Sequence, residues 1–162
     1  MLGALSSSVG VKVSCRDEVY VGAVALRASK GPSQLLMSAS YSLNLHHFIV
    51  IVKRSSPPPQ VLVYDFQPED PESIWVAVAA LTGRDVPGVI LVRKLEKLPK
   101  RKCQFVGYSR GNTIIAAQEF NESWETNLKI GHHDCRHYCQ GLVEHLTGEK
   151  AVLEDLSEGY FK

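Results

Sequence analysis

Two periodicities divide the chain. From Val19 to Leu26, and again in His46–Arg54, Val61–Phe66, Gly88–Leu95 and Cys103–Ser109, apolar residues come in short runs with partial alternation, the mark of β-strands. A further stretch, Val11 to Ser14, reads the same way. The strongest run is "HHFIVIVKR". It holds five consecutive apolar residues, four of them β-branched, as expected of a strand buried on both faces. "SKGPS" (Ser29–Ser33) reads as a turn, and "SSPPPQ" is a stiff loop that cannot pair in a sheet, so the strands flanking it form a hairpin.

Three stretches switch to helical spacing. "PEDPESIWVAVAALTG" predicts a helix with Pro71 in its first turn, Glu72 complementing the dipole and Gly83 at the stop. Asn112–Asn127 predicts a second, capped by Asn112, with Ile114, Ile115, Ala117, Phe120 and Trp124 on one face. The last begins near Asp134. Cys135, Cys139, Leu142, Val143 and Leu146 fall at i, i+4, i+7, i+8 and i+11 on one stripe, and Gly148 ends it. Without repeats or an internal boundary, 162 residues predict one α+β domain spanning 1–162, a mainly antiparallel sheet packed against helices, with loose termini at 1–10 and 150–162.

Charge and composition narrow the partners. A net charge of +1 gives no general attraction to nucleic acid or an anionic membrane. The basic "RKLEKLPKRK" (Arg93–Lys102) reads as a solvated strand end and turn. No apolar run approaches the length of a membrane span, and no secretory or transit signal is evident, so the expectation is a cytoplasmic protein (or one of an organellar stroma) with free thiols at its four cysteines. An exposed edge strand would allow a homodimer.

"GHHDCRHYCQGLVEHLTG" (Gly131–Gly148) concentrates four of the six histidines and two of the four cysteines. Cys135, one residue past the capping Asp134, stands at a helix N-terminus, where free amides and the dipole favour a thiolate. A cysteine nucleophile needs a base, and His47 at the head of the strongest strand is the candidate, with His46 the alternative since alternation lets only one of the pair face the thiol. Asp65 on the next strand would fix the imidazole tautomer; Tyr64, facing the other way, is second choice. Zinc is the competing reading, with ligands drawn from His132, His133, Cys135, His137, Cys139 and His145. However, no second cysteine pair accompanies them, and His137 points away from both helix cysteines. No metal or cofactor is therefore expected. Reversible oxidation of Cys135, resolved by Cys139, is a further alternative.

"HFIVIV" early and "HDCRHYCQGLVEHLTGEK" late, with "VALRASKG" (Val24–Gly31), resemble the circularly permuted papain-like hydrolases, in which the histidine strand precedes the cysteine helix. The order of elements resembles them over roughly Val19–Gly148. The PPPDE family of deSUMOylating isopeptidase-like proteins is one branch. The lecithin:retinol acyltransferase-like and NlpC-like group is the other, and "DCRHY" is similar to its cysteine motif. The resemblance implies a thiol hydrolase or acyl transferase with Cys135 as nucleophile, His47 as base and Asp65 near the third polar position, acting on a protein, peptide or acyl substrate. The short acidic tail "AVLEDLSEGYFK" is no anchor and favours a peptide or protein over a lipid. Asp134 stands where those families carry Asn. Its charge would raise the pKa of the neighbouring thiol unless the helix cap absorbs it, and this favours the rival reading, an inactive binding or scaffold domain of the same fold.

Overall fold

The computed structural model describes residues 16–24 and 46–150. They form an α+β structure: a six-stranded antiparallel sheet and three helices. In chain order these are β1 (Glu18–Val24), β2 (His47–Lys53), β3 (Val61–Pro68), α1 (Ile74–Leu81), β4 (Val86–Leu95), β5 (Cys103–Tyr108), α2 (Thr113–Ser123), β6 (Asn127–Leu128) and α3 (Cys135–Thr147). The sheet order is β5-β1-β2-β3-β4-β6, so β2 and β3 occupy its middle. The expected strand at Val11–Ser14, the turn at Ser29–Ser33 and most of "VALRASKG" lie outside the described residues.

β2 is buried on both faces, as its unbroken apolar run requires. Phe48, Val50 and Val52 join Val19, Val21, Leu62, Tyr64 and Phe66 in the main core, beneath Tyr138, Cys139, Leu142, Val143 and Leu146 of α3. Ile49 and Ile51 point the other way and pack with Val61, Val63, Tyr20 and Leu98. Each fully buried side chain of this size contributes on the order of 1.5–3 kcal/mol of transfer free energy. The two-sided burial, shared by Val61–Phe66 of β3, therefore holds β2 firmly and makes it a stable base for whatever its ends carry.

The β2–β3 ladder is shorter than either strand. It runs from Lys53↔Val61 to Val50↔Tyr64 and stops, although β2 extends back to His47 and β3 forward to Pro68. Beyond that point β2 stays paired with β1 through His47↔Val24, and β3 with β4 through Pro68↔Gly88. The middle of the sheet thus has an unzipped end, with His47 on one lip and Asp65 on the other.

Two helix boundaries differ from expectation. α1 begins at Ile74, because the Ser73 side chain caps it by accepting from the Val76 amide; Pro71 and Glu72 belong to the preceding turn, closed by the Ser73 amide on the Asp70 carbonyl. α2 ends at Ser123. Trp124 turns extended and packs against Phe66 and Phe120, which releases the chain to pair Asn127 and Leu128 with Pro87 and Val86. A two-residue strand is too short to show a periodicity, so β6 left no trace in the sequence. Ile115, placed on the apolar face by its spacing, is instead 54% exposed, and Thr113 is buried in its stead.

Candidate active site: a buried histidine between a thiol and a carboxylate

α3 starts where the pattern puts it, and its ends explain why. Asp134 is the N-cap, its carboxylate accepting from the Arg136 amide at 3.0 Å and from the Gly131 amide at 2.7 Å. Gly148 closes the helix with φ 78°, a left-handed conformation that costs glycine little. Between these caps, Cys139, Leu142, Val143 and Leu146 are buried as the stripe predicts, and Tyr138 joins them, its hydroxyl donating to Asn121 Oδ1 at 2.7 Å. Cys135 occupies the first helical position. It is half-buried at the margin of the main core.

The unzipped end of the sheet brings three of the sequence-selected residues together. His47, only 6% exposed, places Nε2 2.6 Å from Asp65 Oδ1, the imidazole N–H donating to the carboxylate. The same ring is hydrogen-bonded to the Cys135 thiol. Since Asp65 engages Nε2, Nδ1 is the nitrogen left for sulfur. His46, by contrast, is exposed and lies beside Phe48, with ring centroids 6.3 Å apart. Tyr64 faces the main core under α3.

Arg93, on β4, completes the cluster. Its guanidinium donates to Asp65 Oδ2 at 2.8 Å, so each oxygen of this buried carboxylate has a cationic or N–H partner. By sequence alone Arg93 belongs to the solvated basic run "RKLEKLPKRK". The signal that could have found it is strand alternation: Arg93 is the cross-strand partner of Val63, which shares a face with Asp65 two residues on.

Burial alone would push the His47 pKa down, because an imidazolium loses its hydration. The hydrogen bonds to Asp65 and Cys135, and the charge on both partners, outweigh that and raise it to about 10. The ring is therefore held as an imidazolium across the neutral range. Cys139, one turn on, is fully buried, and burial raises its thiol well above the usual range. Of the two helix cysteines only Cys135 has both access and an acid–base partner.

Asp134 is itself buried, which alone would raise its pKa. The Gly131 amide, His137 (Nδ1–H to Oδ1, 2.9 Å) and Arg136 (3.4 Å) outweigh the burial and hold the carboxyl below its usual value. The charge that departs from the families' Asn is thus met locally, by the Gly131 and Arg136 amides and by the side chains of Arg136 and His137.

The remaining histidines of this segment are engaged separately. His133 stacks on Trp124 at 4.3 Å with Nε2 2.7 Å from the Glu125 carbonyl oxygen, and His145 lies against Phe120. Among the described residues no three His, Cys, Asp or Glu side chains are grouped to hold a metal ion. Cys103, Cys135 and Cys139 are free thiols, Cys15 lying outside the described residues. No described helix is long and apolar enough to cross a membrane. An α+β protein with a half-buried cysteine beside a buried His–Asp pair at an unzipped sheet end is what the fold and site define. No protein-family model, curated protein or solved structure matches the chain.

Proposed function

We propose that the protein is a cysteine hydrolase or acyl transferase of circularly permuted papain-like type, acting on an amide, isopeptide or ester bond, with a peptide or protein substrate favoured. The observation that carries the reading is the position of His47, buried and hydrogen-bonded to Cys135 on one side and to Asp65 at 2.6 Å on the other. The order of elements, histidine strand before cysteine helix, supports the permuted arrangement.

In this reading Cys135 Sγ, its proton held on His47, attacks the substrate carbonyl to form the S–C bond. The negative charge on the carbonyl oxygen is met by the Cys135 backbone amide at the start of α3, the next amide, that of Arg136, being held by the Asp134 cap. His47 then gives its proton to the leaving nitrogen or oxygen as the C–N or C–O bond breaks, leaving a thioester. Water, or an acceptor nucleophile in a transferase, attacks the thioester as His47 takes back a proton, and Cys135 is released. Asp65 acts through His47, fixing ring and tautomer, and Arg93 fixes Asp65.

The test is the pH dependence of iodoacetamide alkylation at each cysteine, read by peptide mass spectrometry, in wild type and His47→Ala. Cys135 should react fast at pH 6 and slow by about 100-fold on removal of His47, the loss expected when a thiol returns to an ordinary pKa near 8.5. A p-nitrophenyl acetate burst that leaves acetyl on Cys135 extends the test to acyl transfer. If Cys135 behaves as an ordinary thiol in the wild type, the hydrolase reading fails and the inactive binding domain takes its place.

A further inference from the structure

The opposite end of β2 carries a second constellation. β2 runs from His47 to Lys53, so Arg54 lies roughly 20 Å from His47 at strand spacing. Here the start of β1, the ends of β2 and β5 and the start of α2 converge on a cavity of about 680 Å³, lined by Arg16, Asp17, Arg54, Ser109, Arg110, Gly111, Asn112 and Thr113. Its volume falls within the range of small-molecule sites.

The lining has too few anions for its cations. Among the described residues the lining holds three arginines and one aspartate, which leaves two positive charges unbalanced there. Asp17 is shared: it accepts from the Ser55 amide at 2.9 Å and the Ser55 hydroxyl at 3.2 Å, and lies 3.8 Å from Arg54 Nε, beyond hydrogen-bonding distance. Arg54 Nε is enclosed by protein and has no hydrogen-bond partner among the described residues, a costly state for a charged donor. Arg110 is held by its amide to the Leu146 carbonyl, with its guanidinium against Gly148, and among the described residues neither Arg110 nor Arg16 has a carboxylate within 4 Å. Thr113 opens α2, where the first amides lack helical acceptors and the positive end of the dipole adds to the field. The buried Ser109 and Thr113 hydroxyls, 2.6 Å apart, brace this wall.

We propose that this cavity is a binding site for a phosphomonoester dianion. Two unbalanced charges match a dianion and exceed what a single carboxylate would neutralise. Guanidinium forks with an orphaned N–H suit the several acceptor oxygens of a tetrahedral phosphate. The site shares no residue with the Cys135 cluster and would stand if the hydrolase reading fell.

Calorimetric titration of the full chain with inorganic phosphate and glycerol 3-phosphate, beside sedimentation with phosphatidylcholine vesicles with and without phosphatidic acid, tests it. Saturable one-to-one binding of glycerol 3-phosphate is expected, weakened about tenfold or more in Arg110→Gln and in Arg54→Gln and unchanged in Cys135→Ala. Arg110 is exposed, so its variant remains informative if Arg54→Gln fails to fold. Capture by phosphatidic acid vesicles without binding of the soluble compounds, if lost in Arg110→Gln, assigns the same headgroup chemistry to a lipid. Absence of all binding, or binding that both arginine variants leave undiminished, overturns the proposal.

Discussion

Cys135 stands between two buried carboxylates built from the same parts. Asp65, on the lip of the unzipped sheet end, has His47 at 2.6 Å and Arg93 at 2.8 Å. Asp134, immediately before the cysteine, has His137 at 2.9 Å and Arg136 at 3.4 Å. The difference is distance along the chain. Asp65 gathers partners 18 and 28 residues away on two other strands; Asp134 gathers partners two and three residues on, in its own helix. His47 is buried and reaches the thiol, whereas the His137 side chain is 41% exposed and serves the cap. One Asp–His–Arg set holds a buried imidazole beside a thiol; the other ends a helix and offsets its own charge. Residue types alone do not distinguish them.

Removing each carboxylate should separate them most strongly. Asp65→Ala leaves a buried imidazole and an arginine without their shared partner and is expected to cost about 3 kcal/mol in urea unfolding. Asp134→Ala loses a cap and should cost about 1 kcal/mol. Equal costs would break the comparison.

The pH dependence of stability sharpens it next. His47 is raised from 6.5 to about 10 in the folded protein. Its contribution is therefore fully present below about pH 6.5 and is lost as pH rises towards 10. Asp134 is lowered, so its contribution is present above the ordinary carboxylate range and lost only as pH falls through the folded value. Wild type should lose stability relative to His47→Gln between pH 7 and pH 9.5, and Asp134→Asn should follow wild type across that window. A wild-type to His47→Gln difference that stays constant from pH 7 to 9.5 would remove the electrostatic account of His47.

The smallest effects concern the outer partners. Asp134→Asn keeps an N-cap oxygen but removes a charge that Arg136, His137 and the Gly131 amide already offset. The midpoint of Cys135 alkylation should shift down by less than about half a pH unit. Arg93 is largely solvent-exposed, so Arg93→Gln should cost under about 1 kcal/mol, with Cys135 alkylation at pH 6 slowed only a few-fold. A shift of a full pH unit in Asp134→Asn would show that the cap had not absorbed the charge.

What the sequence determined by itself is what short-range physics governs. The β-branched run in β2 specified a strand buried on both faces. Asp134 and Gly148 specified the ends of α3, and the i, i+4, i+7 spacing specified its buried stripe, because caps and helical faces are decided within a turn or two of chain. His47, Asp65 and Cys135 could be selected as chemistry-bearing residues at element ends, but not placed. Tertiary structure decided that the β2–β3 ladder stops at Val50↔Tyr64, that His47 and not His46 turns inward, and that Arg93 leaves its basic run for Asp65. It also decided the short β6 and the early end of α2, where Trp124 packs against Phe66. These contacts join residues tens of positions apart, and their energies depend on the register of strands against one another and on the helix laid across them. A periodicity read along one segment carries no information about that register.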